Sequence, residues 1–321
     1  MGLFVGRRGR VSRAWLLVLI MVFSGGLLIG AAVRRDGHPV TPHPSVGEIR
    51  EEEGPEAPGT TEAPPSQDAS SLFGPTPVSK EGDLSRSDED PFAPERPDGE
   101  GLICLVIDDC GFNVDGPRRL VDVAIPMTFA ILPRERHSLD VAALLEARGF
   151  PAILHLPMEA EGDGTRGDFL VGVAMSDDVI SETVAALLDE MPTLVGVNNH
   201  RGSRATADER VMEAVLKPLA ERGLLFLDSR TSSTSVAFRT ARRMGLKTAY
   251  NSIFLDHEAT LDFMKSQWLR AQKLARSRGW VVVIGHVRPL TITFFETMDR
   301  RLQPGLRFVT LPELLEAVYP R

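Results

Sequence analysis

The chain has 321 residues, of which 43% are hydrophobic and 25% charged, and its formal net charge at pH 7 is −8. This length and composition are typical of a protein with one or two packed domains. The presence of only two cysteines excludes a disulfide-stabilised scaffold and a cysteine-rich zinc module.

The charge is distributed unevenly along the chain. Residues 1–40 contain six arginines and one aspartate, whereas residues 41–100 contain 15 acidic and 4 basic side chains together with 11 of the 23 prolines. Residues 101–321 are therefore close to neutral. Because nucleic-acid binding needs a basic surface that neutralises phosphates, we expect no nucleic-acid partner.

The first 35 residues have the pattern of a membrane segment. Residues 15–33 are a run of 19 residues without charge, and a helix of that length spans about 28 Å, close to the hydrocarbon core of a bilayer. A basic cluster precedes the run and favours a cytoplasmic amino terminus: Arg7, Arg8, Arg10 and Arg13. We predict that residues 1–35 are a single-pass inner-membrane anchor and that the carboxyl-terminal domain is exported to the periplasm.

A cleaved signal peptide is the alternative interpretation of residues 1–35. Gly30-Ala31-Ala32 offers the small residues that cleavage requires, and the product would be periplasmic or secreted. The uncharged run is longer than the apolar region of about 7–15 residues in typical signal peptides, and Arg34 and Arg35 follow it directly. This pattern favours the uncleaved anchor.

Residues 36–100 have the composition of a linker. They are rich in Pro, Glu, Asp, Ser and Gly and poor in aromatic residues. Such a segment cannot bury enough apolar area to offset the entropy lost on ordering. We predict a disordered, acidic, proline-rich linker between the anchor and the domain that follows.

Residues 101–321 alternate between short apolar runs and amphipathic stretches. The apolar runs predict strands at 102–107, 126–132, 152–156, 194–199, 224–227, 253–255, 280–284 and 308–310. The amphipathic stretches predict helices at 139–147, 176–191, 208–222 and 261–278. Continuous apolar strands that alternate with helices indicate parallel β/α units. We predict an α/β fold, a distorted or incomplete (β/α) barrel with its active site at the strand ends.

Most of the predicted strands stop at ionisable or amide residues. The groups at these positions include Asp108, Asp109, His155, Asn199, His200, Asp228, Arg230, Asp256 and His286. In a parallel barrel the carboxyl ends of the strands meet at one rim, where the active site lies. Segments far apart in sequence are therefore expected to bring aspartates and histidines together.

Each of these side chains also has a purely structural interpretation. Asp108 is a plausible helix cap, and His155 is a plausible core histidine bonded to backbone. Asp228 has Arg230 as a nearby ion-pair partner, and Asp256 can cap the following turn. The joint occurrence of carboxylates and imidazoles at so many strand ends favours a functional site.

An aspartate with two histidines suits a zinc-like divalent ion, and three protein ligands leave a position for water. Such an ion lowers the pKa of bound water to about 7, a second carboxylate can take the water's proton, and a further histidine can protonate the leaving group. The sequence has no HExxH, GxSxG, Walker or GxGxxG motif. We predict a metal-dependent hydrolase with Zn²⁺ as its cofactor.

The strand-end motifs together resemble the divergent polysaccharide deacetylase family. The matching stretches run in order across the domain: 107–111 (IDDCG), 155–159 (HLPME), 196–203 (GVNNHRGS), 227–231 (LDSRT), 254–256 (FLD) and 284–286 (IGH). The resemblance implies a (β/α) barrel. It also implies kinship with metal-dependent enzymes that remove N- or O-acetyl groups from sugars.

The resemblance further implies a role for individual residues. Asp108 corresponds to the general base and Asp109 to a metal ligand of the better-known relatives. His200 corresponds to a second ligand, and His286 to the general acid. Those relatives have another histidine four residues after the first, where this chain has Arg204. We predict that His155 replaces this third ligand, because it ends another strand.

The remaining strand-end groups are predicted to bind substrate: Asn199, Asp228, Arg230 and Asp256. The leading hypothesis is a metal-dependent carbohydrate deacetylase-like hydrolase that acts on an envelope polysaccharide or oligosaccharide. The departure at Arg204 motivates an alternative, a non-catalytic envelope protein that binds a glycan or a protein. Hydrolysis of a different amide or ester is a third hypothesis, since one barrel hosts many chemistries.

Overall fold

A computed structural model of the chain describes residues 99–163 and 170–319. The predicted anchor, residues 1–35, and the predicted linker as far as residue 98 lie outside the described residues. In the two described ranges, no helix is both long enough and apolar enough to cross a bilayer.

Strands and helices alternate through the described residues. The strands are β1 (Gly101–Cys110), β2 (Thr128–Ile131), β3 (Ala152–Met158), β4 (Gly196–Arg201), β5 (Leu225–Asp228), β6 (Thr248–Tyr250), β7 (Ile253–Phe254), β8 (Trp280–His286) and β9 (Leu306–Val309). The α-helices are α1 (Asp115–Asp122), α2 (Ser138–Ala147), α3 (Asp177–Glu190), α4 (Glu209–Arg222), α5 (Ala237–Arg243), α6 (Leu261–Arg278), α7 (Pro289–Thr297) and α8 (Leu311–Val318).

The strands form one parallel sheet in the order β6-β5-β4-β3-β2-β1-β8-β7, and β9 pairs with the first residues of β1. Among the described residues no pairing joins β6 to β7, so the sheet curls into an open half-barrel. This architecture confirms the predicted α/β class and the incomplete barrel.

Alternate side chains of each strand face opposite sides of the sheet, and each side is packed. In β1, Ile103, Leu105 and Ile107 belong to the core between the sheet and the surrounding helices. Leu102, Cys104 and Val106 face the barrel interior and belong to a second cluster. The same alternation in β8 places Val282 and Ile284 in the interior. Two residues further along, Asp108 of β1 and His286 of β8 therefore also face the barrel interior.

Helix α8 closes the barrel at the amino-terminal ends of the strands. The Leu311 N–H donates to Thr128 Oγ1 at the start of β2, and the Tyr319 hydroxyl donates to the Thr248 carbonyl at the start of β6. Apolar side chains of α8 join the inner cluster: Leu311, Leu314, Leu315 and Val318. The carboxyl-terminal rim is therefore the end of the barrel at which polar groups collect.

Most of the predicted elements are confirmed, and the differences concern short elements and one strand end. Strand β6 and helices α1, α5, α7 and α8 were not predicted, because three to nine residues give too short a pattern. His155 does not end its strand: β3 continues to Met158 because it pairs with β4 as far as Arg201. The expectation of a strand end at His155 was wrong.

The barrel core should be sensitive to a single truncation in β1. Leu105 is fully buried between the sheet and the helices, so Leu105→Ala should lower the free energy of unfolding by about 2–5 kcal/mol. Leu269→Ala is the matched control, because Leu269 is 60% exposed on α6, and it should cost less than about 0.5 kcal/mol. Urea titration of both variants measures the difference, and equal midpoints would contradict the packing described.

Candidate metal site

The inward-facing positions of four strands carry polar side chains at the carboxyl-terminal rim. His155 follows the inward Ile153 of β3, and His286 follows the inward Ile284 of β8. Asp108 and His286 are directly paired across β1 and β8. These groups come together because each is the next inward residue after the apolar interior of its strand.

Asp109 reaches the same site through an irregularity in β1. By strict alternation it would point toward the helices, since its neighbour Asp108 points inward. The pairing of β1 with β2 shifts register between Ile107 and Cys110, and Asp109 has φ +62°. A non-glycine residue in this backbone region costs about 1–3 kcal/mol and persists where the surrounding structure enforces it. The β-bulge thus brings two consecutive carboxylates into one site.

Three potential ligand atoms converge in the site. Asp109 Oδ1 lies 3.4 Å from His155 Nε2 and 3.2 Å from His200 Nδ1, and the two nitrogens are 3.0 Å apart. Asp109 Oδ1 is buried and has no hydrogen-bond partner among the described residues. Tetrahedral zinc with bonds of about 2.0–2.2 Å separates its ligand atoms by about 3.3–3.6 Å. The residue types, the spacing and the orphaned oxygen all fit a divalent cation.

The charges of these groups are strongly coupled. Burial disfavours the Asp109 carboxylate, but the adjacent His155 and His200 outweigh it and hold the pKa of Asp109 well below its ordinary value. Burial also opposes protonation of His155, yet the charges of Asp108 and Asp109 raise its pKa. Burial lowers the pKa of His200. A proton and a metal ion therefore compete for the same cluster.

Arg204, at the position where the resemblance implies a histidine, takes no part in this cluster. Its Nη1 donates to Glu159 Oε1 at 2.8 Å, and Glu159 Oε2 accepts from the Val173 N–H at 2.8 Å. Arg204 thus ties together the segments that follow β3 and β4. The structure brings together the three predicted ligands, Asp109, His155 and His200, and their metal-binding role stays a prediction.

Asp108, the predicted base, is buried beside the cluster. Its Oδ2 lies 3.7 Å from His155 Nε2, and its Oδ1 accepts from Asn198 Nδ2 at 2.9 Å. Burial raises the pKa of Asp108, which makes this carboxylate a better proton acceptor than an exposed one. The sequence reasoning missed Asn198. The alternation of side chains along β4 could have revealed it, because Asn198 lies two residues before His200 and therefore on the same face of the strand.

His286, the predicted acid, is held by Asp256. Its Nδ1 lies 2.8 Å from Asp256 Oδ1, and its backbone N–H donates to Asp256 Oδ2. Thr291 Oγ1 donates to Asp256 Oδ2 as well. Burial opposes a charge on His286, but the hydrogen bond and charge of Asp256, with Asp109 and Asp108, outweigh it and raise the pKa of His286 to about 9. His286 is therefore protonated at neutral pH.

The pKa of His286 should depend on Asp256. In the parent protein His286 stays charged until the pH rises through about 9. In Asp256→Asn the burial of the ring remains while the facing charge is lost, so the pKa of His286 should fall. NMR titration of the imidazole measures this shift, with Asp262→Asn as the control because Asp262 is exposed at the start of α6. An unchanged titration would show that Asp256 does not set the protonation of His286.

Three of the four predicted substrate-binding groups use their polar atoms within the protein. Asn199 Oδ1 accepts from the Ser229 N–H. The buried Asp228 accepts from the N–H groups of Arg230 and Phe238 and from the hydroxyl of Ser235. Asp256 holds His286, as described above. These interactions support the loops and the acid, and the role of Asn199, Asp228 and Asp256 in substrate binding stays a prediction.

Arg230 differs from these three groups because its side chain is exposed at the rim. Its backbone has φ +49°, and its guanidinium carbon lies 3.5 Å from the centroid of the Tyr250 ring. This distance is typical of a cation–π contact. The role of Arg230 in substrate binding stays a prediction.

Comparison with known proteins places this chain in a family. The chain is 30% identical over 215 residues to the uncharacterized protein YibQ of Escherichia coli K12, covering 67% of each chain. It is 31% identical over 219 residues to an uncharacterized Haemophilus influenzae protein, covering 68% of this chain and 75% of the relative. An uncharacterized Agrobacterium tumefaciens protein of known structure shares the fold, with a TM-score of 0.63, 19% identity and coverage of 70% and 93%. The model of the divergent polysaccharide deacetylase family matches residues 105–315, and the chain belongs to that family.

Proposed function

We propose that the protein is a metal-dependent carbohydrate deacetylase that hydrolyses acetyl groups of a cell-envelope glycan. The observation that carries the proposal is the convergence of Asp109, His155 and His200 around an orphaned buried carboxylate oxygen. Membership of the divergent polysaccharide deacetylase family supports a carbohydrate as the substrate class. A buried carboxylate with a raised pKa, Asp108, and a histidine with a raised pKa, His286, adjoin the cluster, and they are the proposed general base and general acid.

The proposed cofactor is Zn²⁺, held by Asp109 Oδ1, His155 Nε2 and His200 Nδ1. A zinc ion bound by three protein ligands polarises a carbonyl oxygen and lowers the pKa of water to near 7. Asp109 is suited to hold it because its low pKa keeps the carboxylate charged. His155 is suited because its Nδ1 lies 2.9 Å from Asn198 Oδ1, which leaves Nε2 directed at the cluster.

Asp108 and His286 move the protons in the proposed reaction. Asp108 accepts a proton from the attacking water, since its carboxylate is buried next to the cluster and its pKa is raised. His286 Nδ1 is bonded to Asp256, so Nε2 carries the proton that goes to the departing sugar nitrogen or oxygen. The bond between the acetyl carbon and the sugar heteroatom breaks, and acetate is released.

The proposed place of action is the periplasmic side of the inner membrane. The support is in the sequence alone, the uncharged run at residues 15–33 and the arginines before it. The predicted acidic linker of about 65 residues would give a reach of roughly 40–50 Å. A tethered domain of this kind would act on glycan close to the membrane.

Acetate release tests the proposed function. The purified chain is freed of metal, loaded with Zn²⁺ and incubated with N-acetylglucosamine oligomers, an O-acetylated polysaccharide and isolated envelope glycan. We expect acetate from at least one of them only after zinc loading. Bound zinc without acetate from any of these substrates would contradict hydrolysis and favour the alternative of non-catalytic glycan or protein binding.

Arg204 favours the alternative of binding without catalysis. In the proposed site His155 supplies the third ligand, and Arg204 is paired with Glu159. Cellular complementation separates the two functions. A binding protein should tolerate Asp108→Asn in cells, whereas a deacetylase should not.

A further inference from the structure

We propose that Asn198 is a positioning residue that fixes both the metal-ligand histidine and the base through its two amide atoms. The proposal deepens the proposed function and rests on it. Asn198 lies at the centre of β4, is fully buried and faces the barrel interior. Its side chain lies between His155 on β3 and Asp108 on β1. One side chain thus connects two groups with different proposed roles.

The hydrogen bonds define which way the amide points. Asn198 Nδ2 lies 2.9 Å from Asp108 Oδ1, and a carboxylate oxygen only accepts hydrogen bonds. The same Nδ2 lies 3.2 Å from Ser229 Oγ, which can accept its second proton. Asn198 Oδ1 is then the atom 2.9 Å from His155 Nδ1. Because a carbonyl oxygen can only accept, His155 Nδ1 must carry a proton.

A protonated Nδ1 determines how His155 meets the cluster. A neutral imidazole with its proton on Nδ1 has its lone pair on Nε2, the atom that lies 3.4 Å from Asp109 Oδ1 and 3.0 Å from His200 Nδ1. Partners on the far nitrogen of a ligand histidine orient its ring, and their loss typically lowers metal affinity by about 10–100-fold. Asn198 therefore prepares His155 to be a ligand.

The other half of the amide acts on the base. The Nδ2 bond fixes Asp108 Oδ1, so the second oxygen, Oδ2, is the one left 3.7 Å from His155 Nε2. A carboxylate in place of the amide would keep an acceptor for His155 but would put two anions against each other at Asp108. The amide is the group that serves both neighbours, because it donates from one end and accepts at the other.

The neighbouring residue provides a matched control. Asn199 is equally buried on the same strand but faces outward, where its Oδ1 accepts from the Ser229 N–H and its Nδ2 donates to the Arg201 carbonyl. Both asparagines thus help to hold the turn after β5. Only Asn198 contacts the cluster. Alanine at either position removes a buried amide, so a loss of stability alone should affect the two variants alike.

Two measurements on the full chain test the proposal. In the metal-free protein, the ¹⁵N spectrum should show an exchange-protected His155 Nδ1–H, identified by its loss in His155→Asn. The signal should persist in Asn199→Ala and Asn198→Asp and disappear in Asn198→Ala. Zinc affinity, measured by chelator competition, should fall about 10–100-fold in Asn198→Ala and change less than threefold in Asn199→Ala. Asn198→Asp should bind zinc at least as tightly as the parent and release acetate at least tenfold more slowly.

The outcomes separate this proposal from the proposed function. Parent-like zinc affinity in Asn198→Ala, or a parent spectrum without the protected His155 signal, would overturn the role of Asn198. Zinc binding without acetate release by the parent would overturn the proposed hydrolysis and leave the affinity and the spectrum as valid tests. If Asn198→Ala does not fold, Asn198→Asp tests the proposal instead. A retained His155 Nδ1–H signal with slower acetate release supports the role of Asn198, and loss of that signal contradicts it.

Discussion

Asp108→Asn is expected to retain zinc and to reduce acetate release by a factor of 10² to 10⁴, the range typical of a general base. The variant keeps the shape of the side chain but removes its ability to accept a proton. Asp108 supplies none of the three converging atoms, which are Asp109 Oδ1, His155 Nε2 and His200 Nδ1, so metal binding should survive. Zinc content and acetate release of the same preparation measure the two effects separately.

Asp228→Asn is the matched control for this experiment. Asp228 is also a buried strand-end aspartate, and burial raises its pKa, but it holds the turn after β5 through Arg230, Ser235 and Phe238. We expect the control mainly to lower the unfolding midpoint. An Asp108→Asn protein that releases acetate within threefold of the parent rate would show that Asp108 is not the base.

His200→Ala is expected to lower zinc affinity by at least about 100-fold, equivalent to about 2.8 kcal/mol. His200 Nδ1 is one of the three potential ligand atoms, and only those of Asp109 and His155 remain after its removal. Zinc should also cease to protect the variant against heat, because a ligand stabilises only the state that binds it. Metal analysis and thermal unfolding with and without zinc measure both consequences.

His137→Ala is the control for the loss of a histidine. His137 pairs with Asp140 beside the start of α2 and is not one of the three proposed zinc ligands. Its zinc affinity and its zinc-induced stabilisation should match those of the parent. Stoichiometric, tightly bound zinc in His200→Ala would contradict the assignment of His200 as a ligand.

Sequence patterns predicted the barrel because its strands are apolar on both faces. The inner and outer clusters of β1 and β8 explain why these segments are continuous apolar runs rather than alternating ones. The open edge between β6 and β7 was not predictable in the same way. Pairing depends on partners far apart in the chain, and β7 has only two residues in ladder positions.

The site was predictable where strand parity and residue type agree. Counting in steps of two from the inward apolar residues leads to Asp108, His155 and His286. In β4 the outward Val197 is the guide, because it places its neighbour Asn198 on the inward face. Asn199 and Asp228 lie on the opposite face of their strands, and their role in substrate binding stays a prediction. Parity alone would have excluded Asp109, because the β-bulge that turns it inward depends on tertiary pairing.

The most direct test of the account is the location of zinc in crystals of the protein. Diffraction data collected on both sides of the zinc absorption edge reveal the ion without reference to any assumed ligand. We expect one strong anomalous peak per chain, bounded by Asp109 Oδ1, His155 Nε2 and His200 Nδ1. An absence of any peak at saturating zinc, or a peak only at other side chains, would contradict the metal site and the hydrolysis that depends on it.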